Sequence, residues 1–174
     1  AMLTDFTVAE NMVLQRISEE PFTRRGWIDW NCVHSEAQRL AAEFDVRTPS
    51  VKIPAGKLSG GNAQKMVLAR ELSRNPRVLI AAQPTRGLDV GSIEYIHKRI
   101  VQKRDEGCAV LLVSPELDEI IELSDRIAVM YRGKILAIVN AGEISKETLG
   151  LLMAGIVPEK IEKPQGEKIV ETTF

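Results

Sequence analysis

The sequence is short of several things, and each shortage narrows what the chain can do. Its charges nearly cancel, 23 basic against 24 acidic residues in 174, and no dense basic patch breaks the balance. That argues against nucleic acid as a partner and against an electrostatically held membrane surface. The longest apolar run, 108–113, is far below the roughly 20 residues that a bilayer-spanning helix requires. No charged-then-apolar leader precedes Thr4, so no secretory signal is expected. Cysteine is scarce, and Cys32 and Cys108 lack the spacing of metal ligands, which fits two reduced thiols. Finally, no Gly-x-x-x-x-Gly-Lys-Ser/Thr stretch occurs, so the sequence contains no glycine-rich loop of the kind that wraps a nucleotide's phosphates. Ala1 is left out of the fold reading.

What is present reads as a helical first part followed by an α/β second part. Thr7-Val8-Ala9-Glu10 is a capping box that predicts a short helix to about Ile17. Residues 21–26 read as a loop, and Asp29 or Ser35 opens a helix with Ala37, Leu40, Ala41 and Phe44 on one stripe. Two prolines and a glycine between Val46 and Lys57 predict an extended connector. Ser59 caps the next helix, roughly Gly60 to Ser73, with Ala63, Met66 and Val67 inward, and Asn75-Pro76 stops it. From Arg77 the pattern changes. Val78–Ala82 and Ala109–Val113 are unbroken apolar runs, as expected of parallel strands covered on both faces. Between them Gly91 to Glu106 is helical, with Ile93, Ile96, Ile100 and Val101 as its stripe and Gly107 at its end. A short helix from Glu116 to Leu123, a hairpin around Arg132-Gly133 and a helix from Lys146 to Met153 follow. A Pro/Glu/Lys-rich tail begins near Pro158 and is expected to be flexible. The alternation of strand and helix predicts an α/β layer with right-handed crossovers.

Two stretches carry chemistry. In Leu58-Ser59-Gly60-Gly61-Asn62-Ala63-Gln64-Lys65, two glycines and a serine stand at the mouth of a helix. A helix start presents unpaired amides and a partial positive charge, and glycine lets an anion approach them. The second stretch, Ala81-Ala82-Gln83-Pro84-Thr85-Arg86-Gly87-Leu88-Asp89-Val90-Gly91, follows on a strand. Together with Leu123-Ser124-Asp125-Arg126-Ile127, their order and spacing resemble the ABC-transporter ATPases: signature loop, Walker B strand and D-loop. The resemblance runs from Phe6 to Gly155 and is to the second nucleotide-binding half of a tandem ATP-binding subunit of a simple-sugar or nucleoside importer. The Ala81-Ala82-Gln83 variant resembles the branch paired with purine-nucleoside-type lipoproteins.

That resemblance implies a partial P-loop NTPase fold. Residues 3–75 would be a helical subdomain carrying the signature loop, 76–157 an incomplete RecA-like parallel sheet, and 158–174 a tail. The Walker A half would lie outside the sequence, cut away or encoded separately. It also implies that the chain's own nucleotide site is degenerate. Ala82 and Gln83 stand where the family has Asp-Glu; alanine cannot bind Mg²⁺, and glutamine can orient a water but not take its proton. Pro115 stands where the family has its switch histidine, and His34 and His97 do not match that position.

In such ATPases two nucleotide domains meet head to tail, and one domain's signature loop closes over ATP held by the other. The resemblance therefore implies that Ser59, Gly60, Gly61, Asn62, Gln64 and Asp89 act in trans, in a parent complex using ATP and Mg²⁺. The chain alone should neither hydrolyse ATP nor hold a cofactor. Implied partners are a second nucleotide-binding domain and permease subunits, met through the helical subdomain at the inner face of the cell membrane. Trp27 and Trp30 are candidates for that contact or for packing. Removing the P-loop strand from between Ala109–Val113 and Arg126–Tyr131 would also leave open sheet edges, from which self-association is expected. Two other readings stay open: a head fragment of a chromosome-structure or repair ATPase, and a non-catalytic permease-docking module. The first would need an intact Asp-Glu pair; the second would make the glycine loop only a turn.

Overall fold

The computed structural model describes residues 2–158; the expected tail, 158–174, otherwise lies outside the described residues. By compactness the chain divides into one unit of Ala1–Leu79 with Pro84–Leu111 and a second of Ile80–Gln83 with Leu112–Phe174.

The first unit opens with helix α1 (Val8–Val13). Both halves of the expected capping box form: Glu10 N–H donates to Thr7 Oγ1 at 3.1 Å, and Thr7 N–H to Glu10 Oε2 at 2.7 Å. The helix is shorter than the sequence predicts, ending before Gln15, because Arg16 N–H turns back to Val13 O in a tighter bond. The expected loop 21–26 contains a hairpin instead, β1 (Thr23–Arg24) against β2 (Trp27–Ile28). Arg25 and Gly26 both have positive φ, 51° and 83°, the geometry of the tight turn that matches strand twist. Asp29, not Ser35, caps α2 (Trp30–Glu43), since its Oδ1 accepts the amides of both Asn31 and Cys32.

The extended connector after α2 is an anchor for α1. Val8 N–H donates to Ile53 O and Ala9 N–H to Val51 O, so the connector's backbone satisfies amides that a helix start leaves open. The connector ends in a 3₁₀ turn (Ala55–Lys57) that leads directly into α3 (Gly60–Leu72). Helix α1 packs on both α2 and α3. Val8, Ala9, Met12, Val33, Ala37, Leu40, Met66, Ala69 and Leu72 are all buried. Helix α4 (Val90–Asp105) packs on α3, buries Ile96 and Ile100, and stops at Gly107, whose φ is 91°.

Strands β3 (Val78–Ala82) and β4 (Ala109–Val113) form a two-stranded sheet. Ala109 N–H bonds Arg77 O at their starts and Gln83 N–H bonds Val113 O at their ends, so they run parallel. They are not covered on both faces as the apolar runs suggest. Leu79 is 8% exposed, whereas Val78, Ile80, Leu111 and Val113 are 51–66% exposed. Alternating side chains point to opposite faces, and among the described residues one face has no cover.

In the second unit, α5 (Leu117–Leu123) leads to β5 (Arg126–Tyr131) and β6 (Lys134–Asn140), an antiparallel pair closed through Arg132 and Gly133, both at positive φ. After a 3₁₀ turn (Ala141–Glu143), α6 (Lys146–Met153) lies against β5, begun by Ser145 accepting Thr148 N–H. Ile127, Val129, Ile144, Leu149 and Leu152 form this unit's core. Among the described residues β5–β6 and β3–β4 are separate sheets.

A buried asparagine, which no apolar pattern reveals, ties down the chain before α1. Asn11 is fully buried; its Oδ1 accepts Leu3 N–H, and its Nδ2 donates to Leu3 O and Thr7 O. Asn11→Ala should lower the unfolding free energy by about 2 kcal/mol or more, because it strands buried backbone groups. Urea denaturation of the chain checks this; a loss within error would show that solvent reaches those groups.

Candidate functional site

The signature-like stretch sits where the connector turns into α3. Ser59 has extended backbone and caps the helix, its Oγ accepting Asn62 N–H at 3.4 Å. Ser59 and Gly60 are exposed, while Gly61, Asn62 and Gln64 are half-buried. Asn62 turns inward: its Nδ2 donates to Ser59 Oγ at 2.9 Å and its Oδ1 accepts Arg47 N–H at 2.7 Å. Gln64 Nε2 reaches Pro84 O at 3.3 Å and so joins α3 to the segment leading to Asp89.

Asp89 caps α4 as Ser59 caps α3. Its Oδ1 accepts Ser92 N–H at 3.0 Å and its Oδ2 accepts the Ser92 hydroxyl at 2.8 Å. These bonds, the hydroxyl first, hold its carboxyl below the ordinary value of 3.8. The carboxylate is exposed.

The two glycines differ in what they answer to. A β-carbon on Gly61 would lie 2.5 Å from Ser92 Oγ, 3.3 Å from Ser92 Cβ and 3.5 Å from Asp89 Oδ2. Glycine at 61 thus lets the start of α3 lie against the start of α4. A β-carbon on Gly60 would meet only Leu88 Cδ2, at 3.9 Å, an ordinary contact. Among the described residues, nothing in the packing calls for glycine at 60.

Behind the loop, Lys65 is buried on α3, where an amphipathic reading would not place a cation. Its Nζ donates to Asp45 Oδ2 at 2.6 Å and stands 4.6 Å from the Tyr95 ring centre. That bond first, with the charges of Lys65 and Arg47, holds the Asp45 carboxyl below its usual range. Arg99 lies over both Phe44 and Tyr95 and donates to Glu43 O. These contacts fix α3 to the end of α2 and to α4, and so fix where Ser59 points. The sequence reading missed Lys65, Asp45 and Tyr95, because their partners are distant in the chain.

The other set of site residues lies in the second unit. Ala82 ends β3, and Gln83 follows at φ 49° with its N–H on Val113 O at 2.7 Å. Ala82, Gln83 and Pro115 are all exposed. A methyl, a neutral amide and a pyrrolidine ring offer neither an anionic oxygen to a magnesium ion nor a base to a water. His34 and His97 sit half-buried on α2 and α4, His34 with its ring centre 6.2 Å from that of Trp30.

Two stability experiments follow. Gly61→Ala should destabilise the chain by about 1–3 kcal/mol through overpacking. Ser92→Ala, which removes the atom at 2.5 Å, should recover part of that loss although alone it gives up a bond to Asp89. Gly60→Ala should be neutral or slightly stabilising, by up to about 1 kcal/mol. Thermal melts of the four variants check this, and simple additivity of Gly61→Ala and Ser92→Ala would contradict the contact. The second experiment is a pH series. Asp45 and Asp89 have lowered folded-state pKa values, so their stabilisation is present above the unfolded value near 3.8 and is lost as pH falls through the folded values. The urea midpoint should therefore hold steady above about pH 5 and fall below about pH 4, with a shallower fall in Asp45→Asn.

Comparison with known proteins places this geometry. No family model matches the chain. It is 53% identical over 154 residues to the nucleoside import ATP-binding protein NupA of Lactococcus lactis subsp. cremoris, a match covering 88% of the chain and 30% of that protein. To the guanosine import ATP-binding protein NupO of Bacillus subtilis it is 48% identical, over 95% of the chain and 32% of the relative. To the ribose import ATP-binding protein RbsA 2 of Rubrobacter xylanophilus it is 39% identical, over 89% and 30%. The chain thus spans about a third of the length of these relatives. Among solved structures it is similar to the ATP-binding cassette MJ0796, a dimer bound to ADP and Pi, with a TM-score of 0.66 at 23% identity. That match covers 80% of the chain and 59% of the cassette. The cassette MJ1267 in its ADP conformation matches with a TM-score of 0.61 at 22% identity, over 87% and 60%. The α/β fold is therefore that of part of an ABC ATPase cassette, and over most of its length the chain is similar to one segment of nucleoside and sugar import ATP-binding proteins.

Proposed function

We propose that this chain is the later part of the second nucleotide-binding half of an importer's ATP-binding subunit, and that it works on ATP bound elsewhere. Residues 3–75 act as the helical subdomain and 76–157 as part of the RecA-like core. Ser59, Gly60 and Gly61 supply a hydroxyl and helix-start amides to the terminal phosphate of ATP held, with Mg²⁺, by a partner nucleotide-binding domain. Gln64 and Asp89 brace that loop from behind. The chain's own nucleotide position is inactive, with Ala82, Gln83 and Pro115 in place of the metal-binding and water-activating groups. The transported solute is a nucleoside in preference to a simple sugar, because the nucleoside-import relatives are the more similar of those compared.

The observation that carries this reading is Gly60. It is exposed, and among the described residues a β-carbon there would meet nothing closer than 3.9 Å. A glycine that its own fold does not need is accounted for by an external group that comes too close for a β-carbon. A simple turn, as in the docking-module reading, would not require it.

Docking to permease subunits is a second part of the proposal. Trp27 is 83% exposed at the tip of the β1–β2 hairpin, and Ile28 and Trp30 are exposed beside it. Aromatic side chains left in water at one end of a helical layer suit a protein contact better than a packing role. A peripheral place at the cytoplasmic face of the membrane follows from that contact. Among the described residues no helix is long and apolar enough to cross a membrane. The chromosome-structure alternative has no structural feature in its favour.

The test uses the full-length ATP-binding subunit assembled with its permease. Gly60→Asp should lower transport-coupled ATPase by about 10²-fold or more, by setting a carboxylate against phosphate. Gln83→Ala should leave the rate near its unsubstituted value. The reverse pattern would overturn the assignment of an acting loop and an inactive strand end.

A further inference from the structure

The hydrogen bonds around Ser59 fix the direction of its hydroxyl. The Arg47 backbone N–H lies 2.7 Å from Asn62 Oδ1, and a backbone N–H can only donate. It therefore decides which way round the Asn62 amide lies, with the oxygen toward Arg47 and the NH₂ toward Ser59. Asn62 Nδ2 then donates to Ser59 Oγ at 2.9 Å, and Asn62 N–H approaches the same oxygen at 3.4 Å. A hydroxyl has two lone pairs and one proton. With two donors aimed at Ser59 Oγ, both lone pairs are engaged inside the chain. The remaining proton faces away from Asn62, and Ser59 is exposed.

The position of Arg47 N–H is itself held. Val46 N–H bonds Ala41 O at 2.8 Å, wrapping the chain over the end of α2, and Asp45 is clamped by Lys65 at 2.6 Å. Lys65 stands on α3, one turn beyond Asn62, so the clamp and the amide belong to the same helix. The direction of one exposed proton is thus set by a chain of contacts running from α2 through the connector to α3.

We propose that Asn62 is a positioning residue that makes Ser59 an obligatory donor toward the anion docking at the start of α3. Without it the hydroxyl can turn and present a lone pair to a phosphate oxygen, which repels it. The anion is the terminal phosphate of a nucleoside triphosphate held by a partner domain, so this inference rests on the in-trans reading above. Asn62 does not touch the nucleotide; it acts through Ser59.

A double-mutant cycle in the full-length ATP-binding subunit with its permease tests it, reading kcat and KM for ATP. Ser59→Ala should lower kcat/KM by about 10²-fold. Asn62→Ala should lower it by roughly 3- to 10-fold when Ser59 is present and by less than about twofold in the Ser59→Ala background, the signature of coupled residues. Asn62→Asp keeps the size and the acceptor for Arg47 N–H but draws the serine proton inward. It should cost more than Asn62→Ala while melting close to the unsubstituted protein, which separates a lost proton direction from a lost fold. An equal Asn62→Ala loss in both backgrounds, or an Asn62→Asp variant as active as the original, overturns the inference alone. An active Ser59→Ala subunit overturns the in-trans reading, and the inference falls with it.

Discussion

The close approach of two helix starts is the constraint on which the site depends. Helix α3 begins at Ser59 and α4 at Asp89, and both starts carry unpaired amides and partial positive charge. Brought together they would repel, and the Asp89 carboxylate, which caps α4 and would lie 3.5 Å from a β-carbon on Gly61, offsets part of that charge. Its two oxygens take the amide and hydroxyl of Ser92, and Gly61 lies against the same pair with no β-carbon to hold it off. One aspartate therefore caps the start of α4 and lies against the start of α3. A bulkier residue at 61 would push the α3 start away and turn Ser59 with it.

Orientation comes from farther back. A cation buried at Lys65 is costly unless it is paired, and its partner is Asp45, in the chain just beyond α2. Tyr95 of α4 lies beneath the Lys65 ammonium, and Arg99 of α4 lies over both Tyr95 and Phe44. The ion pair and the rings are thus shared by three helices. That sharing gives the exposed loop a rigid base, which the proposed action on ATP held by a partner would require. A contact made across an interface has no ligand of its own to organise it, so the order must be built into the fold beforehand.

Local signals were the legible ones. The capping box at Thr7, the cap at Ser59, the turn at Arg132-Gly133 and the span of α6 are all found where the residues place them, because each depends on neighbours within four positions. The β1–β2 hairpin escaped because Arg25 is an unusual residue at positive φ, so only Gly26 marked the turn. The roles of Asn11, Lys65 and Gly61 escaped for a different reason. Their partners, Leu3, Asp45 and Ser92, lie 8 to 31 positions away, and no periodicity encodes such a distance. The candidate loop was visible as a motif, whereas its two glycines looked alike until the space around each was known.

The strands carry the same lesson in the opposite sense. An unbroken apolar run is chosen for burial on both faces, yet Val78, Ile80, Leu111 and Val113 stand open while Leu79 is covered. Water on four large apolar side chains is unfavourable, by about 25 cal/mol for each Å² left exposed. The relatives bear on this, since about two thirds of their length lies outside the matched segment. Gly60 and Trp27 are of the same kind, one lacking a side chain that its fold would accept and the other keeping one that its fold leaves in water. With the open strand residues, they lie at the start of α3, on the hairpin and along one strand face, three surfaces that packing among the described residues does not account for.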